Sequence, residues 1–102
     1  MLKNSKIIWN KARKIIPGGN GLLSKRPERF LPNGWPIYFS KSKGVFIWDL
    51  NNKKYTDMSI MGIGTSVLRY NNSYINNSVK KNIDLGINTT LNCIEEFKLA
   101  KE

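Results

Sequence analysis

The chain has 102 residues, 40% hydrophobic and 11% aromatic, which describes one small domain with a modest core and excludes a disordered tail. Lys and Arg number 17 against 7 Asp and Glu, a net charge of +10, but the cations are scattered and form no long run, so they read as general surface charge. The absence of histidine and the single cysteine, Cys93, exclude an intramolecular disulfide, a Cys–His nucleophile pair and a Cys/His metal cluster.

The first 16 residues are basic, but their apolar positions are dispersed and no small-residue cleavage site follows, so they do not read as a signal peptide. No stretch has the length needed to span a bilayer, and a cytoplasmic location is the expectation. Residues 4–16 read as a helix, with Ile8, Ala12, Ile15 and Ile16 on one face and Lys11, Arg13 and Lys14 towards the end where cations favour the dipole. Pro17-Gly18-Gly19 stops it. Residues 17–36 are interrupted by glycines and by Pro17, Pro27, Pro32 and Pro36, and read as a loop carrying Lys25, Arg26 and Arg29.

Three strand-like runs follow. Ile37-Tyr38-Phe39 is separated by Lys41-Ser42-Lys43-Gly44 from Val45-Phe46-Ile47-Trp48, whose β-branched and aromatic side chains suit a pleated, half-buried surface. Asn51-Asn52 supplies turn chemistry, and Lys54–Met58 alternates with period two. A three-stranded antiparallel meander is expected, with Trp48 in its core. The small residues of Ser59–Ser66 suggest close approach of a ligand or another backbone. Gly62-x-Gly64 lacks the third glycine and the following helix of a dinucleotide fingerprint. Residues 73–85 read as a second helix that buries Ile75, Val79 and Ile83 and leaves through Gly86. A third helix starts at Cys93, with Glu95 and Glu96 in its first turn. The fold class is therefore α+β: an amino-terminal helix, a small meander, then two helices.

Taken in this order, the motifs resemble the amino-terminal region of the class III, fold-type I pyridoxal-phosphate aminotransferases, in particular the glutamate-1-semialdehyde aminomutase-like enzymes. Ile16-Pro17-Gly18-Gly19 is similar to that family's I-P-G-G, and Pro27-Glu28-Arg29 to its S-P-V-R loop. Trp35–Phe39, Lys43-Gly44 and Ile47–Asp57 resemble its P-x-x-x…G-x-x-x-W-D-x-D-G-x-x-Y-x-D, and Gly86, Glu96 and Leu99-Ala100 its G…E-x-x-L-A. Two departures stand out. Arg69-Tyr70-Asn71-Asn72-Ser73 replaces the family's G-H-x-H-P, and Asn51-Asn52 replaces its D-G turn.

The resemblance implies that residues 1–102 are an amino-terminal segment without the large cofactor-binding domain or the Schiff-base lysine, inactive alone and catalytically silent. In the complete enzyme it implies pyridoxal 5'-phosphate, a small-molecule amino donor and carbonyl acceptor, a homodimer, and neither specific nucleic acid nor membrane as partner. It assigns Arg29, Ile63 and Gly64 to substrate contacts, and Thr65, Ser66, Asn88, Thr89 and Thr90 to the cofactor. The competing readings are a small basic module binding nucleic acid or another polyanion, and a non-catalytic dimer arm. The polyanion module requires a clustered cationic face with interleaved aromatics.

Overall fold

The computed structural model describes residues 3–59 and 61–102; Met1, Leu2 and Ile60, which belong to the basic leader and to the apolar run after the meander, lie outside the described residues. The chain forms two compact units, Met1–Asn72 and Ser73–Glu102. In the first, helix α1 (Lys3–Ile15) leads through short 3-10 turns at Leu23–Lys25 and Pro27–Arg29 into strands β1 (Phe39–Lys43), β2 (Phe46–Asp49) and β3 (Lys54–Thr56). The second holds helices α2 (Ser73–Leu85) and α3 (Ile94–Lys101). The class is α+β, as expected.

The sheet is an antiparallel meander in the order β1-β2-β3. Its first strand is displaced from the expected Ile37–Phe39. Lys43 pairs with Phe46, so Gly44-Val45 is a two-residue turn, with Gly44 at φ +61 in the position where a type II′ hairpin needs a positive φ. That turn carries the ladder back through Ser42 and Lys41, and the expected polar spacer becomes the strand. Edge strands tolerate such lysines, which discourage pairing with other chains. A register shift between Phe39 and Lys41 leaves Ser40 to donate its hydroxyl to the carbonyl oxygen of Asp49 at 2.8 Å.

Asp49 organises the β2–β3 turn. It is only 2% exposed. Its Oδ1 accepts from the backbone N–H of Asn51 (2.8 Å) and Lys53 (2.9 Å), and its Oδ2 accepts from the Tyr55 hydroxyl (3.0 Å). Burial pushes the Asp49 carboxyl up, but the N–H groups of Lys53 and Asn51, the Tyr55 hydroxyl and the Lys53 charge outweigh it and hold the carboxyl below the usual range. Asn52, at φ 60, takes the left-handed conformation expected of the Asn-Asn pair.

The buried stripe of α1 differs from the sequence expectation. Ser5, Trp9 and Ala12 are buried, at i, i+4 and i+7, whereas Ile8, Ile15 and Ile16 are exposed. Trp9 wins because its large ring has a partner: it packs where Gly19 has no side chain, and a Cβ there would lie 2.5 Å from the ring. Trp48 is half-buried, not core. In the second unit Ile75, Val79 and Ile83 share a face as periodicity requires, but all three are exposed and α2 has no buried residue. The periodicity marks an apolar stripe; burial also needs a facing surface.

Candidate functional site

The loop after α1 is ordered by its own packing. Pro27 is fully buried and opens the 3-10 turn Pro27–Arg29, closed by the Phe30 N–H donating to the Pro27 carbonyl at 3.1 Å. Phe30 stacks on Trp35 with ring centroids 4.2 Å apart, and the Trp35 N–H donates to the Leu31 carbonyl at 2.9 Å. The turn is tied to α1 through Glu28: the Trp9 indole Nε1 donates to Glu28 Oε1 at 3.0 Å, and Arg13 Nη1 lies 3.7 Å from the same oxygen. The backbone N–H of Glu28 and the Trp9 indole, with the Arg13 and Arg26 charges, hold the Glu28 carboxyl below its ordinary value against burial.

These contacts frame a cavity of about 290 Å³ lined by Arg13, Gly18, Leu23, Arg26, Glu28 and Arg29. Gly18 and Gly19, at φ +74 and +83, make the junction possible. A Cβ on Gly18 would lie 1.9 Å from an Arg26 guanidinium nitrogen, so the glycine is what lets Arg26 lie against the turn. Arg26 is therefore more than loop charge. Its Nε is buried with no hydrogen-bond partner among the described residues. Arg29 sits at the cavity with no carboxylate paired to it among the described residues. Arg26, read from the sequence with Lys25 and Arg29 only as one of three loop cations, and Glu28, given no role there, thus join Arg29. Glu28 follows a proline two residues after Lys25, and only the fold shows that it faces Trp9 and Arg13.

The other expected site residues lie elsewhere. Ile63, Gly64, Thr65 and Ser66 belong to a turn-rich loop, in which Met61, Gly62, Ile63 and Gly64 take φ values of 42, 71, 61 and 77. Gly64 serves conformation and not close approach, because a Cβ there would meet open space, whereas a Cβ on Gly62 would lie 2.9 Å from the Thr65 hydroxyl. Thr65 donates its hydroxyl to the Gly62 carbonyl at 2.8 Å. The loop is closed at its base: Gly44 and Tyr70 exchange two backbone hydrogen bonds of 2.9 Å, and the Tyr70 hydroxyl donates to Asp57 Oδ2 at 2.5 Å. Burial, the hydrogen bond to Asp57 and the Asp57 charge push the Tyr70 hydroxyl up to about 12. The stretch that departs from the family's G-H-x-H-P thus has a local job as a clasp.

Asn88, Thr89 and Thr90 are exposed residues of the second unit, between α2 and α3. Asn88 has φ 55, and Thr89 donates its hydroxyl to the Leu91 carbonyl at 3.0 Å. Cys93 is free and exposed, with its thiol donating to Glu95 Oε2 at 2.8 Å. Among the described residues no group of His, Cys, Asp and Glu is disposed to hold a metal, and no helix is long and apolar enough to cross a membrane.

No family model matches the chain. Among curated proteins, it is 37% identical over 109 residues to the glutamate-1-semialdehyde 2,1-aminomutase of Wigglesworthia glossinidia brevipalpis, a match that takes in 99% of this chain and 23% of that protein. It is 34% identical to the enzyme of the same name from Nitrosopumilus maritimus (strain SCM1), over 98% of this chain and 22% of that protein. A third similar protein is the 3-aminobutyryl-CoA aminotransferase of Cloacimonas acidaminovorans (strain Evry), 28% identical over 76% of this chain and 18% of that protein. The chain therefore spans less than a quarter of the length of these relatives. These matches identify it as a class III, fold-type I aminotransferase sequence of the glutamate-1-semialdehyde aminomutase-like kind.

Proposed function

We propose that residues 1–102 form the amino-terminal segment of a pyridoxal-phosphate-dependent aminotransferase or aminomutase, and that the segment's contribution is to bind and orient the substrate. The observation that carries this reading is the likeness to enzymes of that kind along 98–99% of the chain. In the complete, homodimeric enzyme the cofactor would supply an electron sink for moving an amino group between a small amino donor and a carbonyl acceptor. The residues present do not fit an imine-held cofactor. Every lysine from Lys6 to Lys101 is exposed, whereas a Schiff-base lysine works where burial keeps its amine neutral. The Thr65 and Thr89 hydroxyls, as folded, donate to local carbonyls and are not directed at a phosphate. The assignment of Ser66, Asn88 and Thr90 to cofactor contacts, and of Ile63-Gly64 to a substrate wall, rests on their positions alone.

Arg29 is the residue we assign to the substrate's anionic group. It stands at the family's loop arginine, on a turn anchored by buried Pro27 and by the Trp9–Glu28 bond, so the backbone that carries it is ordered before ligand arrives. A planar fork binds a carboxylate or phosphate bidentately. In the complete enzyme, Arg29→Ala should raise KM roughly ten- to a hundredfold, the loss of a hydrogen bond to a charged group. Arg29→Lys should recover only part, and Lys25→Ala should change nothing. An unchanged KM for Arg29→Ala would refute the assignment.

One observation favours the polyanion reading. By strand alternation Phe46 and Trp48 share a sheet face with Lys41, Lys43 and Lys54 across the ladder, and Lys54 and Lys41 lie 4.4 and 4.9 Å from the Phe46 and Trp48 ring centroids. This is a cationic face with interleaved rings, but the lysines cover the rings that would stack on bases. Binding to single-stranded nucleic acid should therefore be weak, blind to sequence and lost between about 50 and 200 mM salt. Sub-micromolar, sequence-selective binding would displace the aminotransferase reading.

A further inference from the structure

The loop departs from the family's S-P-V-R at two positions: Arg26 stands where the motif has Ser, and Glu28 where it has Val. Both side chains line the cavity beside Arg29. Their charges can be counted. Arg13 and the Trp9 indole are committed to Glu28. That leaves the two guanidiniums of Arg26 and Arg29 without a carboxylate partner among the described residues. Arg26 is not a loose surface arm. It lies against Gly18, where a side chain would exclude it, and its Nε–H is a buried donor with nothing to bond. A buried donor left unsatisfied is costly, and an anionic oxygen is the partner that would recover most.

We propose that Arg26 and Arg29 together bind a phosphoryl-type dianion in this cavity, with Arg26 as a second ligand that the departure from S-P-V-R creates. The lining holds three guanidiniums, of Arg13, Arg26 and Arg29, against the single carboxylate of Glu28, and this excess of positive charge matches a dianion better than a monocarboxylate. Glu28 also lines the cavity, but its Oε1 accepts from the Trp9 indole and lies beside the Arg13 guanidinium, which offsets its charge. The cavity, at about 290 Å³, has an apolar wall in Leu23, against which an organic group carrying the phosphate can pack. The proposal rests on the reading of Arg29 as an anion ligand and adds the class of anion.

The test is a titration of the 102-residue chain followed by the NMR signals of the arginine Nε–H groups and the Trp9 indole. The probes are inorganic phosphate, phenyl phosphate and acetate, at constant ionic strength and about pH 8, where the phosphates are predominantly dianionic. Saturable phosphate binding should shift the Arg26 Nε–H signal. Arg26→Gln and Arg29→Gln should each weaken it roughly tenfold or more. Arg26→Lys should keep part of it, Lys25→Gln should leave it unchanged, and acetate should bind roughly tenfold more weakly than phosphate. Tighter binding of phenyl phosphate assigns the site to a phosphomonoester, and equal binding assigns it to free phosphate; either supports the site.

If Arg29→Gln abolishes binding while Arg26→Gln does not alter it, the second-ligand proposal is overturned and the Arg29 reading stands. If acetate binds as tightly as phosphate, the dianion assignment is overturned. If neither arginine affects binding, or none of the probes binds saturably, the dianion proposal is overturned, and the Arg29 reading is decided separately by the KM of Arg29→Ala in the complete enzyme. Should Arg26→Gln fail to fold, an Arg26 Nε–H signal that stays fixed while phosphate saturates the native chain overturns the proposal by itself.

Discussion

Replacing Asp49 tests whether a single buried carboxylate sets the β2–β3 turn. The native group is 2% exposed and accepts hydrogen bonds from the Asn51 and Lys53 N–H groups and the Tyr55 hydroxyl. In Asp49→Asn the amide oxygen keeps the two backbone donors, and the Tyr55 hydroxyl must turn to accept from the amide nitrogen. Hydrogen bonds to a charged group are worth about 1.5–3 kcal/mol and neutral ones about 0.5–1.5. Part of that difference is offset because no charge is buried any longer, so the net cost should be about 1–2 kcal/mol. Asp49→Ala leaves the two N–H donors unsatisfied, and at about 1–3 kcal/mol each it should cost roughly 2–6 kcal/mol.

The assay is urea unfolding followed by tryptophan fluorescence, with amide exchange at Asn51 and Lys53 as the local reading. The pH dependence has a definite sign. The folded-state pKa of Asp49 is lowered, so its contribution is fully present above the unfolded value, about 3.9, and is lost as pH falls through the folded value. The stability gap between native chain and Asp49→Asn should therefore narrow on acidification below about pH 3.9. Native-like protection of Asn51 and Lys53 in Asp49→Ala, or a gap that widens on acidification, would refute the reasoning.

Three further outcomes are expected. Gly19→Ala places a Cβ 2.5 Å from the Trp9 ring at φ +83, and should destabilise by roughly 2–4 kcal/mol, whereas Gly64→Ala meets open space and should cost only the backbone strain, about 1–2 kcal/mol; equal melting shifts for the two would contradict the packing argument. Thermal unfolding of the 102-residue chain should be broad and of low midpoint: burying Trp9 contributes roughly 4–6 kcal/mol gross, Ala12 adds little, and the apolar faces of α1 and α2 stay exposed, so a sharp cooperative transition would overturn this. The chain should form no imine with pyridoxal phosphate; an absorbance band at the visible edge that borohydride abolishes would contradict that.

Periodicity and punctuation determined the elements. The apolar spacing from Ile75 to Ile83 and the positive-φ exit at Gly86 place α2 at Ser73–Leu85, the span read from the sequence, because a helix is a local structure with local signals. The strands around Trp48 and Tyr55 were legible for the same reason, and so was the Asn51-Asn52 turn. The ordered motifs also carried the family, since likeness in sequence needs no fold to be seen.

What the tertiary structure decided is pairing. The Gly44-Val45 turn moved β1 onto Lys41-Ser42-Lys43, which no propensity favours, because hairpin register is fixed by the partner strand. Contact with Gly19 made Trp9 the buried residue of α1 in place of the neighbouring isoleucines. Asp49, a polar residue in a short turn, became a buried, organising carboxylate because two N–H groups and a hydroxyl converge on it. The motif singled out Arg29 as a candidate, and the fold puts it at the cavity. Its neighbours Arg26, Glu28 and Arg13 were not singled out, because a cavity joins residues from a helix end, a glycine turn and a 3-10 turn that sequence order separates.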